Sequence, residues 1–474
     1  MNKRKWILGA GIAQVLSSTV LLGAEPKNFL EKGVSLDEGR VKLDFEAMYR
    51  AEHRRNNFDF APGKAANGTD DSWLLQRYRI GLLYAPVPGL KFYVQGQDSR
   101  EFGSARLDIP GRFGAEGDDI FDISQAWVEA GDMMKSTWSL RLGRQSIAFG
   151  DERLVGPLEW LNFARRFDAA RLTYNQGPLK VTAFASSPMV SRSEGLNRSD
   201  WFDWNGAGRG QYFSGIYAAY DAKPFGAVDA YLFHLTQQST NAGNLEDGVV
   251  TYSSPAARAA DYAAGSNFFT FGTRLKGDPK RLGGWEAEME AVGQAGTAGG
   301  KQLRAFAFHA GSGYNFKAPL KPRVFFDYNF GSGDHDPNDG KVQTFQNLFP
   351  TNHKWYGFMD AFSWQNIHNP QLTLQISPTN TTTLRVDHHA FWLADTDDAW
   401  YRANGVARVR TLNAAARAAD RYVGQEIDVT ATWKVNKNLS VQGGYSHFFA
   451  GDYVKQTGQR ADADFLYLMT NLSF

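Results

Sequence analysis

The sequence predicts an all-β fold, a single antiparallel transmembrane β-barrel of about 18 strands with short periplasmic turns and long extracellular loops. Three observations predict it. Apolar and polar residues alternate with a period of two in many segments, as they do in strands with one apolar face. The connections between these segments are alternately short and long, which is typical of an outer-membrane barrel. The N-terminal residues also have the layout of an export signal.

Residues 1–24 have the layout of a secretory signal peptide. Three basic residues at positions 3–5 precede a mostly apolar stretch, 6–22, which is followed by the small residue Ala24. We expect cleavage after Ala24, which would leave residues 25–474 to form the barrel domain. The alternative is an N-terminal membrane anchor, but the polar residues within the apolar stretch make it a poor one.

The composition is consistent with this class and excludes others. The 474 residues include no cysteine, so disulfides and cysteine-bound metals are impossible. The 51 lysines and arginines nearly balance the 50 aspartates and glutamates, and this balance disfavours a broad nucleic-acid-binding surface. After the signal peptide, no stretch approaches the roughly 20 apolar residues that a transmembrane helix needs.

The prediction of each strand depends on the alternation of apolar and polar residues. The first places Val41, Leu43 and Phe45 on one face and charged residues on the other. The predicted strands lie near 40–54, 73–86, 90–103, 120–131, 136–148, 167–175, 178–188, 212–222, 226–238, 268–277, 283–295, 301–315, 321–331, 370–378, 381–394, 421–435, 438–450 and 463–474. Aromatic residues at strand ends, among them Trp73, Phe325, Trp433 and Phe448, suggest girdles at the membrane interfaces.

The connections sort by length. The long ones, which we assign to the extracellular side, lie near 55–72, 104–119, 149–166, 189–211, 239–267, 332–369, 395–420 and 451–462. One connection, near 296–300, is short where a long one is expected. An even number of strands places both termini on the periplasmic side.

The residues between the apolar ones are expected to face the lumen, because a charge on the lipid face costs about 2–4 kcal/mol at the midplane. We expect a selectivity wall with a positive part, formed by Arg77, Arg79, Arg141, Arg171, Arg323 and Arg385. Its negative part would be formed by Glu286, Glu288, Glu290, Asp327, Asp387, Glu426 and Asp428. These charges either line a hydrated pore or brace the wall as ion pairs.

Two charged residues, Arg144 and Asp168, fall on the apolar phase of their strands. We therefore expect them to lie above the lipid band, or a bulge to separate them from it. The long connection between these two strands is rich in charged and aromatic residues and could fold over or into the pore mouth. Its candidate latch residues are Asp151, Glu152, Arg153, Arg165 and Arg166.

Two blocks of residues resemble the signature of the bacterial alginate export family. The first contains Leu142-Gly143-Arg144-Gln145, Phe149-Gly150-Asp151, Arg153-Leu154, Gly156-Pro157, Trp160, Asn162, Arg166-Phe167-Asp168 and Arg171. The second contains Ser332-Gly333-Asp334, Pro337, Asp339-Gly340, Thr344-Phe345, Leu348-Phe349-Pro350, His353, Tyr356-Gly357, Asp360 and Trp364-Gln365-Asn366-Ile367. The resemblance implies an eighteen-stranded outer-membrane porin that passes the anionic polysaccharide alginate outward. It also implies a basic lumen closed by loops and salt-bridge latches.

The predicted wall differs from that basic lumen, because its acidic residues match its arginines. Three functions therefore remain open. The protein could pass a polar, possibly anionic oligo- or polysaccharide, or it could be a general or small-solute-specific porin. A barrel-anchored surface enzyme or adhesin is the alternative of another class. The chain has no HExxH, P-loop or nucleophile-elbow motif, so we expect no enzymatic activity.

No cofactor is expected. A weak calcium candidate consists of the oxygen-bearing residues Asp334, Asp336, Asn338 and Asp339, which precede Gly340. The expected partners are outer-membrane lipid, a saccharide and the barrel assembly machinery, the last through the C-terminal strand that ends at Phe474. We expect a monomer in the outer membrane of a Gram-negative bacterium that binds no nucleic acid.

Overall fold

The structure is a computed structural model of the chain. It describes residues 34–57, 60–62, 70–104, 118–189, 196–199, 201, 210–237, 265–405, 409–410 and 412–474. The predicted signal peptide and its cleavage site therefore lie outside the described residues. None of the helices in these ranges is long and apolar enough to cross a membrane.

Eighteen of the described strands form one closed antiparallel barrel. They are β2 (Val41–Arg55), β3 (Asp71–Val87), β4 (Leu90–Phe102), β5 (Asp119–Ala130), β6 (Trp138–Gln145), β7 (Phe167–Gln176), β8 (Leu179–Pro188), β9 (Gln211–Ala222), β10 (Gly226–Gln237), β11 (Ser266–Gly277), β12 (Trp285–Ala298), β13 (Lys301–Asn315), β14 (Arg323–Gly331), β16 (Ile367–Ile376), β17 (Thr382–Leu393), β18 (Tyr422–Lys434), β19 (Leu439–Ala450) and β20 (Ala463–Ser473). Each strand pairs with the next, and β2 pairs with β20 to close the sheet.

Three pairs of short elements and one isolated bridge accompany the barrel wall in the described residues. The strand β1 (Val34–Leu36) pairs with β2, and β15 (Lys341–Val342) pairs in parallel with β13. Two short helices, α1 (Ala414–Ala418) and α2 (Asp452–Thr457), lie in long connections. Single 3-10 turns occur at Asp37–Gly39 and Asn352–Lys354, and a parallel bridge joins Val155 to Phe349.

The predicted barrel is confirmed, and every strand boundary agrees with the sequence-based prediction to within three residues. Two of the three largest differences have physical causes. Strand β6 ends at Gln145 rather than near 148, because the chain turns inward there and buries Ile147 completely. Strand β12 continues to Ala298, since Gly299 and Gly300 adopt φ angles of 56° and 78° and make the short connection a two-residue turn.

Alternation places apolar side chains outside and charged ones inside. On β3, Ile80, Leu82 and Tyr84 are exposed, whereas Arg77 and Arg79 are buried. The exposed apolar band is the surface that lipid covers, because a soluble protein would seldom expose so large an apolar area.

The aromatic girdle is only partly as predicted. Trp433 is exposed near the short-turn end of its strand, where Trp138 and Trp285 are also exposed. Trp73, Phe325 and Phe448 are instead buried on the inner face, so their assignment to the girdle is wrong. Aromatic type alone does not decide the face, because loops that pack inside the barrel also require aromatic partners.

Arg144 and Asp168 lie opposite each other at the loop ends of β6 and β7, with no bulge between them. Arg144 Nε donates to Asp168 Oδ1 over 2.9 Å, and its Nη2 donates to the carbonyl oxygen of Asn197 over 3.2 Å. The two charges therefore neutralise each other, and the backbone of Asn197 accepts a further hydrogen bond from Arg144. This explains how the apolar phase of these strands accommodates them.

Candidate functional site

Three long connections fold into the lumen: loop A (residues 146–166), loop B (332–366) and loop C (394–421, described except for 406–408 and 411). Loop A contacts arginines of β3 and of β11, which lie on nearly opposite walls. A loop can reach both walls only across the inside of the barrel. The lumen is therefore the candidate functional site, and these loops control how much of it is open.

The wall of β2 to β4 holds the second half of loop A. Arg77 Nη1 donates to the carbonyl oxygens of Glu159 and Leu161, both over 3.0 Å. Arg79 Nη1 donates to the Glu159 carboxylate over 2.8 Å. Glu46 on β2 accepts from both arginines, so one buried cluster of charges joins the wall to the loop.

The opposite wall holds the first half of loop A. The Asp151 carboxylate lies 2.7 Å from Arg274 Nη2 and 3.0 Å from Lys276 Nζ, both on β11. Burial disfavours the charged form of Asp151, but the nearby cations outweigh burial and hold its pKa well below the usual range. Arg153 Nη1 donates to Asn329 Oδ1 over 3.0 Å, and its guanidinium lies 3.9 Å from the Trp355 ring centroid.

Loops A and B form one unit. Val155 and Phe349 make a parallel bridge, and the Gly156 amide donates to the Phe349 carbonyl oxygen over 2.8 Å. The Thr351 hydroxyl donates to the Glu152 carboxylate, also over 2.8 Å. Any displacement of loop A must therefore either break these contacts or carry loop B with it.

The remaining two candidate latch residues brace loop A internally, and one of them also binds loop B. Arg165 Nη1 donates over 3.0 Å to the carbonyl oxygens of Gly156 and Pro350. Arg166 Nη1 lies 2.9 Å from Glu159 Oε1. Burial lowers the pKa of each guanidinium to about 10, so both remain charged at neutral pH.

An apolar core lies inside the barrel and joins the loops to the wall. Its buried loop residues include Phe149, Leu154, Val155, Phe345, Leu348, Phe349, Tyr356, Met359, Phe362, Trp364 and Trp400. The rings of Phe362 and Trp400 stack at 5.2 Å, and Trp400 Nε1 donates to the Ala361 carbonyl oxygen over 2.9 Å. The burial of this apolar surface stabilises the loops in one folded arrangement inside the barrel.

The structure places all thirteen predicted wall residues on the inner face, and most of the arginines are paired. Arg77 lies 2.6 Å from Glu46, Arg323 lies 2.6 Å from Glu286, and Arg385 lies 2.6 Å from Asp387. Arg79 and Arg141 also form ion pairs, with Glu46 and Glu129 respectively, whereas Arg171 donates to the Met133 sulfur over 3.1 Å. Much of the wall is thus braced by charge pairs.

The acidic wall residues divide between wall and loop partners. Glu288 lies 2.6 Å from Lys276 Nζ, and Glu290 accepts from the Tyr231 hydroxyl over 2.8 Å. Asp327 lies 3.9 Å from Arg153 of loop A. Glu426 accepts from the backbone amide of Met359 in loop B over 3.0 Å, and Asp428 lies 3.6 Å from His389 Nε2.

Sequence reasoning missed Arg274 and Lys276, the two wall cations that bind Asp151. Both are buried, and both lie on β11 directly opposite Glu290 and Glu288 of β12. The signal was present, because residues opposite each other in a sheet share a face. Applying that rule to the predicted glutamate row would have found them.

The calcium candidate does not gather into a cation site. Asp339 forms an ion pair with Lys341 at 2.9 Å, and the Asp336 carboxylate accepts from the backbone N–H of Asn338 over 3.0 Å. The amide of Asp334 donates to Asp398 of loop C over 3.0 Å. In the described part of the chain, no three acidic or histidine side chains converge as metal ligands would.

The ion pairs of the Glu159 carboxylate with Arg79 and Arg166 should hold loop A in place at neutral and mildly acidic pH. Burial disfavours the Glu159 carboxylate, but Arg166 and the other arginines around it outweigh burial and hold its pKa below the ordinary 4.5. A lowered carboxyl pKa stabilises the folded state above the ordinary value, and this contribution is lost only as the pH falls through the folded value. We expect the amide protection of loop A, corrected for intrinsic exchange, to be equal at pH 7 and pH 5.

The matched variant for this experiment is Glu159→Gln, which keeps the shape of the side chain and removes its charge. Its loop A should be less protected than the wild-type loop already at pH 7. A steep loss of wild-type protection between pH 7 and pH 5 would contradict the expectation.

The closed barrel, its apolar outer band and its charged inner face define a channel of the Gram-negative outer membrane. The chain belongs to the alginate export family, whose model, described as "Alginate export", matches residues 41–467. A comparison with curated proteins gives no match.

Several solved structures of Pseudomonas aeruginosa proteins share the fold. OccK3 (OpdO) is 14% identical with a TM-score of 0.56, covering 92% of this chain and 95% of its own. OccD3 (OpdP) is 12% identical with a TM-score of 0.57, covering 98% and 96%. OpdK, solved with vanillate, is 10% identical with a TM-score of 0.58, covering 91% and 98%. At these identities the likeness shows the barrel fold alone.

Proposed function

We propose that the channel passes a polar oligo- or polysaccharide, which could carry negative charge, and that loop A gates it. The observation that carries the proposal is the attachment of loop A by charged groups to both walls of the lumen. Family membership supports a saccharide as the solute. The inner face supports a polar solute, because its charged side chains offer hydrogen bonds on every side of the path.

In this proposal Asp151, Glu152, Arg153, Arg165 and Arg166 form the latch. Asp151 and Arg153 bind the wall directly, Glu152 and Arg165 bind loop B, and Arg166 holds Glu159 in position. The thirteen wall residues set selectivity once the loops move aside. Because acidic and basic side chains are paired along the wall, we expect weak ion selectivity rather than a strong preference for anions.

The test combines planar bilayers with liposomes. Purified protein should show conductance above background and a reversal potential near zero in a salt gradient. Liposomes containing it should release neutral or uronic-acid oligosaccharides faster than empty liposomes do. Absence of conductance in wild-type protein and in a variant lacking residues 149–166 would remove the channel proposal. Conductance without oligosaccharide release would remove the saccharide.

The second candidate is a porin for small solutes. The loops inside the barrel favour it, because they narrow the path through the lumen. OpdK, which shares the fold, was solved with vanillate, a small aromatic acid. Release of monosaccharide-sized solutes with retention of oligosaccharides in the same liposomes would favour this candidate.

Phe474 should matter for closing the barrel. The Phe474 amide donates to the Phe45 carbonyl oxygen over 3.1 Å, the reverse bond is 2.8 Å long, and the two rings stack at 5.4 Å. We propose that Phe474 is also recognised by the barrel assembly machinery. Deleting Phe474 should lower the amount of folded barrel in the outer membrane several-fold, measured by heat-modifiable gel migration.

The matched control is Leu466→Ala, which removes an exposed apolar side chain from the same strand. Equal amounts of folded protein for wild type and the Phe474 deletion would contradict the proposal.

We make two further proposals about the mature protein: its chain begins after Ala24, and it is a monomer. Intact mass and light scattering of the purified protein test them.

A further inference from the structure

We propose that the wall patch covered by Phe149 and Asp151 is a binding subsite for a solute with a ring and a carboxylate, and that loop A occupies it as an internal substitute. The inference rests on the channel function proposed above, because it assigns a place where the solute binds. Uronic acids and aromatic acids both have a ring and a carboxylate. Three observations at this patch carry it.

The first observation is a flat aromatic surface on β9 and β10. The rings of Tyr217 and Tyr231 are 5.7 Å apart and inclined by 2°, and those of Tyr231 and Phe233 are 4.9 Å apart and inclined by 11°. The Phe149 ring of loop A stacks on Tyr217 at 4.7 Å and 14°. Phe149 thus occupies the position that the face of a sugar or aromatic ring would take on this surface.

The second observation is a pair of cations beside that surface. Arg274 and Lys276 both bind the Asp151 carboxylate, at 2.7 and 3.0 Å. Arg274 also pairs with Asp229, and Lys276 pairs with Glu288 at 2.6 Å. The wall acids already balance the two cations, so an incoming carboxylate would have to replace Asp151 one for one.

The third observation is the residue between the ring and the carboxylate. Gly150 has a φ of 55°, and a Cβ there would lie 3.0 Å from the Tyr217 hydroxyl oxygen and 3.2 Å from Arg274 Cδ. The backbone therefore approaches the wall too closely for a side chain to fit without displacing its neighbours. The Phe149 ring and the Asp151 carboxylate therefore both contact the wall, with no side chain between them along the loop.

A consequence is that solute binding and loop release are coupled. Phe149 is only 9% exposed, so the patch is inaccessible until the segment withdraws. A solute that binds the uncovered patch favours the withdrawn state in proportion to its affinity for that state. The solute would then open its own path by competing with Phe149 and Asp151.

The experiment measures binding of benzoate and of glucuronate to purified full-length protein in detergent by calorimetry. The double variant Phe149→Ala/Asp151→Asn removes the substitute ring and charge. We expect it to bind at least one of the two probes about ten-fold more tightly than wild type does, which corresponds to about 1.4 kcal/mol. Benzyl alcohol, glucose and acetate each lack the ring or the carboxylate, and their affinities should increase less than those of the ring acids.

Three further variants test which side chains are responsible for the gain in affinity. Adding Tyr217→Leu or Arg274→Gln to the double variant should abolish the gain, and Phe149→Leu alone should show part of it while keeping the apolar packing. Heat-modifiable migration confirms that each barrel is folded. Tighter binding of glucuronate alone assigns a uronic acid, and tighter binding of benzoate alone assigns an aromatic acid.

The inference is overturned if folded variants bind both probes no better than wild type does, or if acetate gains as much affinity as the ring acids. Conductance measured in parallel separates this outcome from failure of the proposed function. A double variant that conducts ions but binds neither probe disproves the subsite and leaves the channel intact.

Discussion

Replacing Arg153 with alanine is expected to raise the single-channel conductance several-fold. The side chain is 2% exposed and attaches loop A to β14 through Asn329, while its guanidinium covers the Trp355 ring. Its removal also leaves the buried Asp327 carboxylate without this cation. Breaking a buried charge pair by removing one partner costs roughly 3–5 kcal/mol. This loss should free the middle of loop A from β14, while Asp151 and Glu159 still bind the walls on either side of it.

The measurement is single-channel recording in planar bilayers, with Arg198→Ala as the matched control. Arg198 is an exposed arginine in the long connection between β8 and β9, outside loops A, B and C. Its replacement should leave the conductance unchanged. If Arg153→Ala conducts like wild type, loop A is not the gate.

Replacing Trp400 with alanine is expected to destabilise the packed loops by about 3–5 kcal/mol, the usual cost of removing a large buried aromatic side chain. Trp400 is 1% exposed, lies against Phe362 and Phe60, and donates its indole N–H to Ala361. Its loss would open a cavity where loops B and C meet. We expect proteolysis within loops B and C to become at least ten-fold faster while the barrel itself remains intact.

Limited proteolysis followed by mass spectrometry measures this effect. Leu196→Ala is the control, because Leu196 is 62% exposed and its loss removes little buried surface. Equal cleavage rates in the Trp400 variant and in wild type would mean that the apolar core does not hold these loops.

The strands could be predicted from the sequence because lipid enforces a strict rule. Each lipid-facing position must be apolar, so the period of two survives along the whole barrel. The strand predicted near 301–315 matches the structure at both ends. Boundaries shifted where this rule stops applying, as at Gln145, beyond which the chain no longer faces lipid.

The inner face could be predicted for the same reason, but its contacts could not. Alternation places Glu288 and Arg385 inside and does not say which cation or carboxylate each one meets. Asp151 and Arg274 are 123 positions apart and meet only because loop A crosses the lumen. A loop inside a barrel follows no periodic rule, so its attachments depend on the complementary shapes and charges of the packed residues.

Gly299 and Gly300 join β12 and β13 by a two-residue turn on the side where every other pair of strands is joined by a long connection. Both residues are exposed. A peptide inserted between them would project from the extracellular rim, beside the segment of loop B that pairs with β13 at Gln302 and Leu303. Because exposed turns tolerate insertions well, an epitope placed here should be labelled by antibody on intact cells. The fold thus offers a site for peptide display that is separate from the machinery inside the lumen.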